Sequence, residues 1–417
     1  MSGGSVTLTP VARGAHYGWV IVFCALLALL VSNGMTISGL TVFDNALLSE
    51  FHWSRGAFKL GGTITFVLAG LLGPLAGGIA DKSGVRPLMT LGAVMLSAGL
   101  YQYSRVTSLA DVYLAHVLFG VALACVGLVI NVLLVSRWFT TRRGTAIGLA
   151  LVGTSLGGSV FPSLNTALMR SMPWREVFQQ IAFIPLVIIP IVWLFVRDWP
   201  SDKGLQPYGG AAQATMDPST LPGMEYGAAL RTVNFWALAV AATATFYAIL
   251  AMTAHLFLHL TTGLGFPPAT AAAAVSTLFL LGLAGKFIFG AAADFMNRKV
   301  VFIGNLSVML VGTIFLLMDS TATLWPAVVL TGLGWGGLYT MLQLLVVESF
   351  GIRAAGRILG TITVMDAIGG GLGVVLTGVL YDRTGSYRVA FGVISVLVFL
   401  ALLAATLVKP SATPERA

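Results

Sequence analysis

Apolar segments of transmembrane length fill most of this sequence. The stretch from Ser276 to Asp294 is typical, because its residues are apolar or small apart from one lysine, Lys286. A hydrocarbon core about 30 Å thick is crossed by about 20 helical residues, so a segment of this kind can span a bilayer. Strands of a transmembrane barrel are much shorter, and open sheet edges do not occur in lipid. The sequence therefore predicts an all-α membrane protein.

Twelve such segments follow one another, and we predict a transmembrane helix for each. The predicted helices cover residues 17–42, 55–79, 87–104, 109–137, 143–169, 177–197, 232–260, 268–291, 299–318, 323–347, 356–380 and 387–408. The longest polar stretch separates the sixth helix from the seventh and is predicted to be a linker. The chain is thus divided into a tail (1–15), a six-helix bundle (16–197), a linker (198–228), a second six-helix bundle (229–410) and a second tail (411–417).

Composition excludes a soluble protein. The chain is 57% hydrophobic and 9% charged, whereas a soluble globular chain carries about 25% charged residues. The net charge of +8 does not indicate a nucleic-acid partner, because the basic residues are spread over short loops. No phosphate-binding G-x-x-x-x-G-K-[ST] loop occurs. We therefore predict that the protein is not an enzyme, has no cofactor or metal, and draws its energy from an ion or solute gradient.

Basic residues are distributed unequally between the two sides of the membrane. An even number of spans places both tails and the linker on one side. That side carries fifteen Lys and Arg residues, and the other side, to which Arg55 and Lys59 are assigned, carries seven. Loops in the cytoplasm carry the excess of Lys and Arg. We predict a multi-pass protein of the prokaryotic cytoplasmic (inner) membrane with both termini in the cytoplasm.

The two bundles repeat one another in sequence. Four pairs of residues recur at an offset of 212 or 213, namely Asp81 with Asp294, Gly144 with Gly356, Gly157 with Gly369, and Arg175 with Arg388. Two parallel six-helix repeats are typical of one transporter architecture, in which the substrate binds near the midplane between the halves.

Three motifs carry a resemblance to a known family. The turn GGIADKSGVR (77–86), repeated after the eighth helix, resembles the motif of the major facilitator superfamily. WFTTRRGTAIGLALVGTSLGG (138–158) resembles the fifth-helix signature of the monocarboxylate transporters, and YGWVIV (17–22) resembles the start of their first-helix signature. The bacterial oxalate–formate antiporter group shares these features. The resemblance covers the whole chain and implies the major facilitator fold, with transport of small monocarboxylates such as lactate or pyruvate, usually with a proton.

Lys286 is the strongest candidate for substrate binding. It lies four residues before Gly290, where the resemblance places an arginine that holds the substrate carboxylate. A lysine is a point charge without the bidentate fork of arginine, so it selects a carboxylate less strictly. The alternative is a lysine that snorkels to the interface. Asp294, not Lys286, marks that interface, so we favour binding.

Asp366 is the only acid that we place inside a span. It lies twelve residues beyond Ala354, or about 18 Å along the helix, near the midplane. We expect it to pair with Lys286 in at least one state, because two uncompensated charges in the membrane are costly. It is our candidate proton carrier, with a structural role as the alternative.

The resemblance is incomplete at the residues that couple protons. The animal members carry a lysine in the first helix and an aspartate one turn before the eighth-helix arginine. Here the first helix has no charged residue from Tyr17 to Phe43, and the second position is Gly282. Either Asp366 substitutes for them, or coupling rests on protonation of the substrate itself.

Further polar residues of the spans could line the cavity or join helices. His255 and His259 lie four residues apart on one face of the seventh helix. We assign His255 to proton coupling and His259 to substrate binding, with hydrogen bonding at the interface as the alternative. Tyr339, Gln343, Asn131 and Asn33 are the other candidates for substrate contact, and helix-to-helix hydrogen bonds are their alternative role.

Charged residues of the turns are expected to latch the two halves together. The resemblance assigns this role to Asp81, Arg86, Asp294 and Arg298, and we add Arg137, Arg142 and Arg143. The sequence thus predicts a monomeric secondary transporter of small monocarboxylates, a symporter of lactate-like solutes with protons, whose partners are the substrate and the bilayer. The alternatives are an exchanger of oxalate- or formate-like anions and a drug efflux pump.

Overall fold

The computed structural model describes residues 16–210, 223–318, 320–351 and 353–409. That part of the chain is helical and contains no sheet. The first half contains α1 (Gly18–Asn33), α2 (Asp44–Phe51), α3 (Arg55–Ser83), α4 (Val85–Tyr103), α5 (Leu109–Val126), α6 (Leu128–Trp138), α7 (Arg143–Leu168), α8 (Trp174–Ile181) and α9 (Ile188–Phe195). The second half contains α10 (Tyr226–Ala229), α11 (Val233–Leu258), α12 (Pro268–Phe295), α13 (Arg298–Leu317), α14 (Leu324–Phe350), α15 (Ala355–Thr384) and α16 (Arg388–Leu407).

The predicted spans are all found as helices. Eleven helical segments within the described ranges are long and apolar enough to cross a membrane. The twelfth predicted span is α4, a helix of 19 residues with Arg86 near its start and Gln102 near its end. The predicted all-helical fold with twelve segments in two halves is therefore confirmed.

The first span is longer than predicted and is bent. After α1 the chain passes through a π turn over Gly34–Ser38 and a 3-10 turn over Gly39–Phe43, and it continues directly as α2. The predicted end of the first span at residue 42 is therefore wrong, since the helical segment runs to Phe51 and only residues 52–54 separate α2 from α3. The helix continues through Asp44 because its carboxylate is buried and paired with Lys59 of α3.

The two halves repeat the same helix packing, as the internal repeat predicts. In the first half α7 lies against α1, and in the second half α15 lies against α11. A Cβ at Gly157 of α7 would overlap the Leu30 carbonyl of α1. A Cβ at Gly369 of α15 would come within 2.6 Å of the Thr243 carbonyl oxygen of α11. The backbones approach this closely because these positions lack side chains.

The halves meet along two antiparallel helix pairs, α3 with α15 and α7 with α12. We call the side of the membrane that carries the linker the linker side, and the opposite side the far side. At the far side the backbones of Gly56 in α3 and Gly378 in α15 lie in contact. Toward the linker side these helices diverge, and a Cβ placed at Gly77 or Gly360 would meet no atom of another described segment within 4 Å. The structure is closed at the far side and open at the linker side.

Candidate functional site

Lys286 lies where the seam between α7 and α12 begins to open. Its ammonium group donates a hydrogen bond to the Ser155 hydroxyl of α7 at 3.1 Å, across the boundary between the halves. Toward the far side the seam is closed, with the hydroxyls of Ser163 and Ser276 at 3.0 Å. Toward the linker side it is open, since a Cβ placed at Gly148 would meet no described atom within 4 Å. Lys286 is half-buried as a residue, and its ammonium group lies at the apex of the opening.

Asp366 lies in a separate cavity inside the second half. The cavity has a volume of about 40 Å³, and its walls include Thr245 of α11 and Tyr339 of α14. The Asp366 side chain is 3% exposed, and its Oδ1 atom has no hydrogen-bond partner in the described part of the chain. The predicted ion pair with Lys286 is not formed in this state, because that ammonium group reaches across the seam to Ser155 instead.

A charged contact closes the far side. Asp382, in the last turn of α15, accepts hydrogen bonds from the backbone amides of Arg55 and Gly56 at 2.8 and 2.6 Å. These amides begin α3 and have no partner inside their own helix, and the helix dipole adds positive charge there. The Arg55 guanidinium group also donates to the hydroxyls of Tyr387 at 2.6 Å and Thr262 at 2.8 Å. One aspartate and one arginine thus join the two halves.

A buried ion pair between Asp44 and Lys59 lies at the same end of the molecule. The two residues are 3% and 7% exposed, and their charged groups are in direct contact. The expectation that Asp366 is the only acid inside a span is therefore wrong, whereas Lys59 lies in α3, within the predicted second span. One signal was available, since the apolar residues 46–48 continue the helical pattern beyond the acid.

The comparisons with known proteins agree with this architecture. A sequence profile of the Major Facilitator Superfamily matches residues 24–276 and 256–417. The chain belongs to the Major Facilitator Superfamily. Members of this superfamily are transporters, so the protein is a multi-pass membrane transporter and not an enzyme.

Individual relatives in the superfamily include monocarboxylate transporters. Monocarboxylate transporter 13 of Rattus norvegicus is 25% identical over 381 residues, which cover 90% of this chain and 85% of the rat protein. The uncharacterised transporter YhjX of Escherichia coli K12 is 24% identical over 372 residues, which cover 87% of this chain and 83% of that one. The resemblance to monocarboxylate transporters that the motifs indicated is thus confirmed.

A solved structure confirms the fold. It is a bacterial homologue of the human lysosomal transporter Spinster, in an inward-facing and occupied conformation. Its TM-score to this chain is 0.70 at 16% sequence identity, and the match covers 94% of this chain and 96% of the other.

Two glycines of α12 face α14 near Lys286 and differ in how closely α14 approaches them. A Cβ at Gly285 would overlap the Leu333 carbonyl of α14, so α12 and α14 touch backbone to backbone beside Lys286. A Cβ at Gly282 would lie 3.4 Å from the Trp335 ring. This is ordinary van der Waals contact, so these distances give no steric reason for a glycine at position 282.

Tyr339 and Gln343 lie one turn apart on α14 and are both exposed. Tyr339 also lines the Asp366 cavity, and its phenol has Gln343, Thr363 and Asp366 as polar neighbours. These two predicted residues are therefore brought together with Asp366. Their exposure leaves them available to a solute.

The two asparagines differ in their surroundings. Asn131 is fully buried, and its amide nitrogen donates to the carbonyls of Val126 and Gly127 at 2.8 and 2.9 Å. These carbonyls belong to the break between α5 and α6, so Asn131 supports the bend of its own span and does not face the opening. Asn33 is half-buried at the end of α1, and its amide donates to the Ser32 hydroxyl at 3.4 Å.

Both histidines are buried at the closed far end. The Val374 carbonyl can only accept, so the Nε2 atom of His255 donates to it at 2.8 Å. The Nδ1 atom of His255 then accepts from the Tyr387 hydroxyl at 3.1 Å. The ring of His259 packs edge-on against Phe391, with the ring centroids 4.8 Å apart. In this state both histidines support the far-side contact and do not face the opening on the linker side.

The charged turn residues on the linker side make their described contacts inside their own halves. Arg86 donates to the Val196 carbonyl at 2.7 Å. Arg137 lies 3.8 Å from Asp198, and Arg298 lies 3.4 Å from Glu348. Arg142 is exposed and precedes α7. The side chains of Asp81, Arg143 and Asp294 lie outside the part of the chain that the structure describes. The described contacts of these residues do not join the halves in this state, and the latch remains a prediction.

Proposed function

We propose that this transporter carries small monocarboxylates of the lactate or pyruvate type together with protons, as a symporter. The position of Lys286 carries the proposal, since a cation at the apex of an open cavity is placed to bind an entering anion. The similarity to monocarboxylate transporter 13, which extends over 90% of the chain, supports the same substrate class.

The substrate carboxylate replaces Ser155 as the acceptor of the Lys286 hydrogen bond. Ser155 also bridges the halves through this bond, so its replacement couples binding to the contact between α7 and α12. A single ammonium charge balances a monoanion and leaves a dianion with excess charge. Tyr339 and Gln343 supply polar groups for the remainder of the solute from α14.

Asp366 is the proposed proton carrier on the linker side. An ionised carboxylate inside a membrane span is costly without a cation, and the described residues place none within ion-pair distance of Asp366. A proton removes this cost. Because His255 is fully engaged in hydrogen bonds at the far side, it holds the closed contact and does not carry the proton in this state.

The transport cycle follows from alternating access. The excess of basic residues on the linker side supports its assignment to the cytoplasm, and we assign the protein to the inner membrane of a prokaryotic cell. The structure is then open to the inside, and rocking of the halves about the Lys286 region opens the far side to the outside. We assign this cycle to a monomer, because the site lies between two halves of one chain.

Uptake of labelled lactate into proteoliposomes tests the proposal. An inward proton gradient should accelerate uptake, and unlabelled pyruvate should compete. Uptake that does not depend on the proton gradient and requires internal oxalate or formate would favour an anion exchanger. Transport of amphipathic drugs without lactate uptake would favour efflux and contradict the proposal.

A further inference from the structure

A cavity at the far side contains the Asp44–Lys59 ion pair and is enclosed by both halves. Its volume is about 50 Å³. The first half contributes the two charged residues and Thr36 of the bent first span, and the second half contributes Thr253 of α11 and Val374 of α15. Because the walls belong to two bodies that move relative to each other, separation of the halves at the far side exposes the ion pair to that side.

The ion pair is costly to keep in this place. Removing two charges from water costs several kcal/mol for each ion, and the attraction between them offsets that cost only when both are present. Ionisable residues inside membrane spans mark the pathways of substrates and ions. Within the described ranges, Asp44 and Lys59 have only each other as ion-pair partners. Separation of the two groups without an uncompensated charge requires a proton for Asp44 or an anion for Lys59.

The neighbouring histidine does not compete for the proton. The Thr65 hydroxyl donates to the His116 carbonyl at 3.0 Å, so its oxygen accepts from the Nδ1 atom at 2.8 Å. The Tyr103 hydroxyl donates to the Nε2 atom at 2.8 Å. Both nitrogens of a neutral His116 ring are therefore occupied, and the adjacent Lys59 opposes a second cation. Asp44 remains as the group that can take up a proton.

Other titratable or charged groups surround the pair, and they lie on the elements that pack against it. They are Arg55 of α3, Tyr103 of α4, His116 of α5, His255 of α11 and Tyr387 before α16. Arg55 is engaged with Tyr387 and Thr262, and His255 is engaged with Tyr387 and Val374. Lys59 is therefore the cation that Asp44 leaves when it takes up a proton.

We propose that the Asp44–Lys59 pair loads one proton and one small monocarboxylate when the transporter is open to the far side. A proton adds to the Asp44 carboxylate, which leaves Lys59, and the substrate carboxylate takes its place on the ammonium group. The proton and the monoanion together add no net charge, whereas a dianion leaves one negative charge uncompensated. This inference rests on the proposed function. It adds a second binding position for the substrate, at the far side, to the one at Lys286.

The volume of the closed cavity agrees with a site that the substrate occupies only while the far side is open. A water molecule needs about 10–15 Å³ of such volume, so the cavity holds a few waters in the closed state. A carboxylate with its hydrocarbon part requires the wider space that exists when the halves separate. Closure of the far side therefore displaces the substrate toward Lys286 and restores the contact between Asp44 and Lys59.

Proteoliposome transport of labelled lactate by Asp44→Asn tests the inference. The variant should lose uptake driven by a proton gradient and keep exchange of labelled for unlabelled lactate, because Lys59 still binds the carboxylate. Glu50→Gln is the matched control, since Glu50 is the other acid of α2 and pairs with Arg175 outside the cavity. It should behave as the unmodified protein does.

Three results would overturn the inference without contradicting lactate transport by the unmodified protein. The first is proton-driven uptake by Asp44→Asn. The second is loss of both uptake and exchange by a folded Asp44→Asn protein. The third is proton-driven uptake by the neutral double variant Asp44→Asn/Lys59→Gln, which a purely structural ion pair predicts.

The unmodified protein provides a test that does not depend on folding of a variant. Loading one proton with one monoanion is electroneutral, so the initial uptake rate should not change when a potassium gradient with valinomycin sets the membrane potential. A rate that follows the potential would overturn the inference. Absence of any lactate uptake or exchange would instead remove the proposed function, and this inference with it.

Discussion

The Asp382 carboxylate accepts a hydrogen bond at 2.6 Å from the backbone amide of Gly56, so it caps the first turn of a helix that belongs to the other half. A second bond, from the Arg55 amide at 2.8 Å, completes the cap. Helix caps ordinarily stabilise their own helix. Here the cap exists only while the far side is closed, and it therefore stabilises one state of the transporter.

Removal of this cap should shift the transporter toward the state open to the far side. Hydrogen bonds to charged groups contribute about 1.5–3 kcal/mol, and about 1.4 kcal/mol changes an equilibrium tenfold. In Asp382→Ala, a cysteine at the buried position Thr253 should therefore react at least about tenfold faster with an impermeant maleimide from the far side. Cys24 and Cys125 are replaced beforehand.

Asp111 offers a matched control for this prediction. Its carboxylate accepts the backbone amides of Thr107 and Ser108 at 3.0 and 2.9 Å, and all three residues belong to the first half. Asp111→Ala should leave the labelling rate unchanged. Equal acceleration by both variants would show that loss of a cap in general, and not the contact between halves, controls access.

The sequence predicted those features that depend on local pattern. Apolar length located the spans, the offset of 212 or 213 located the two halves, and an isolated lysine in an apolar run located Lys286. Each of these signals can be read from a single span or from a comparison of corresponding spans in the two halves. The predicted roles of Lys286 and Asp366 remain predictions.

The features that the sequence missed depend on contacts between distant segments. The first predicted span ended before Asp44, whereas the contact of this acid with Lys59 of a different segment lets the helix continue. Asp382 lies more than three hundred residues from the amides that it caps. Asn131 was predicted to contact the substrate because it is a polar residue of a span. Its amide group instead donates to carbonyls at the break between α5 and α6.

Substitution of Lys286 should abolish substrate binding and leave the fold intact. Truncation of one partner of a hydrogen-bonded charge pair costs about 2–5 kcal/mol, so Lys286→Ala should lose lactate uptake, measured as initial rate in proteoliposomes. Lys286→Arg keeps the charge and should keep measurable uptake. Lys82→Ala removes an exposed lysine at the end of α3 and serves as the control. Unimpaired uptake by Lys286→Ala would contradict the binding role.

Neutralisation of Asp366 should separate proton coupling from exchange. Asp366→Asn fills the same cavity but cannot release a proton, so uptake driven by a pH gradient should be lost while lactate exchange persists. The rate of uptake is measured against external pH, and the variant should show no dependence. Asp202→Asn, at an exposed acid of the linker, should retain the dependence. Equal loss of uptake and exchange would indicate a structural role for Asp366.

Asn131 should prove to be a stabilising residue and not a substrate ligand. Its two hydrogen bonds hold the break between α5 and α6, and each contributes about 0.5–1.5 kcal/mol to the free energy of unfolding. Asn131→Ala should therefore lower the unfolding temperature in detergent and leave the KM for lactate unchanged. Asn33→Ala removes one contact of 3.4 Å and should lower the unfolding temperature less. A raised KM for Asn131→Ala without a thermal shift would mean that the amide reaches the substrate in another state of the cycle, because the bond geometry at the break would then be dispensable for folding.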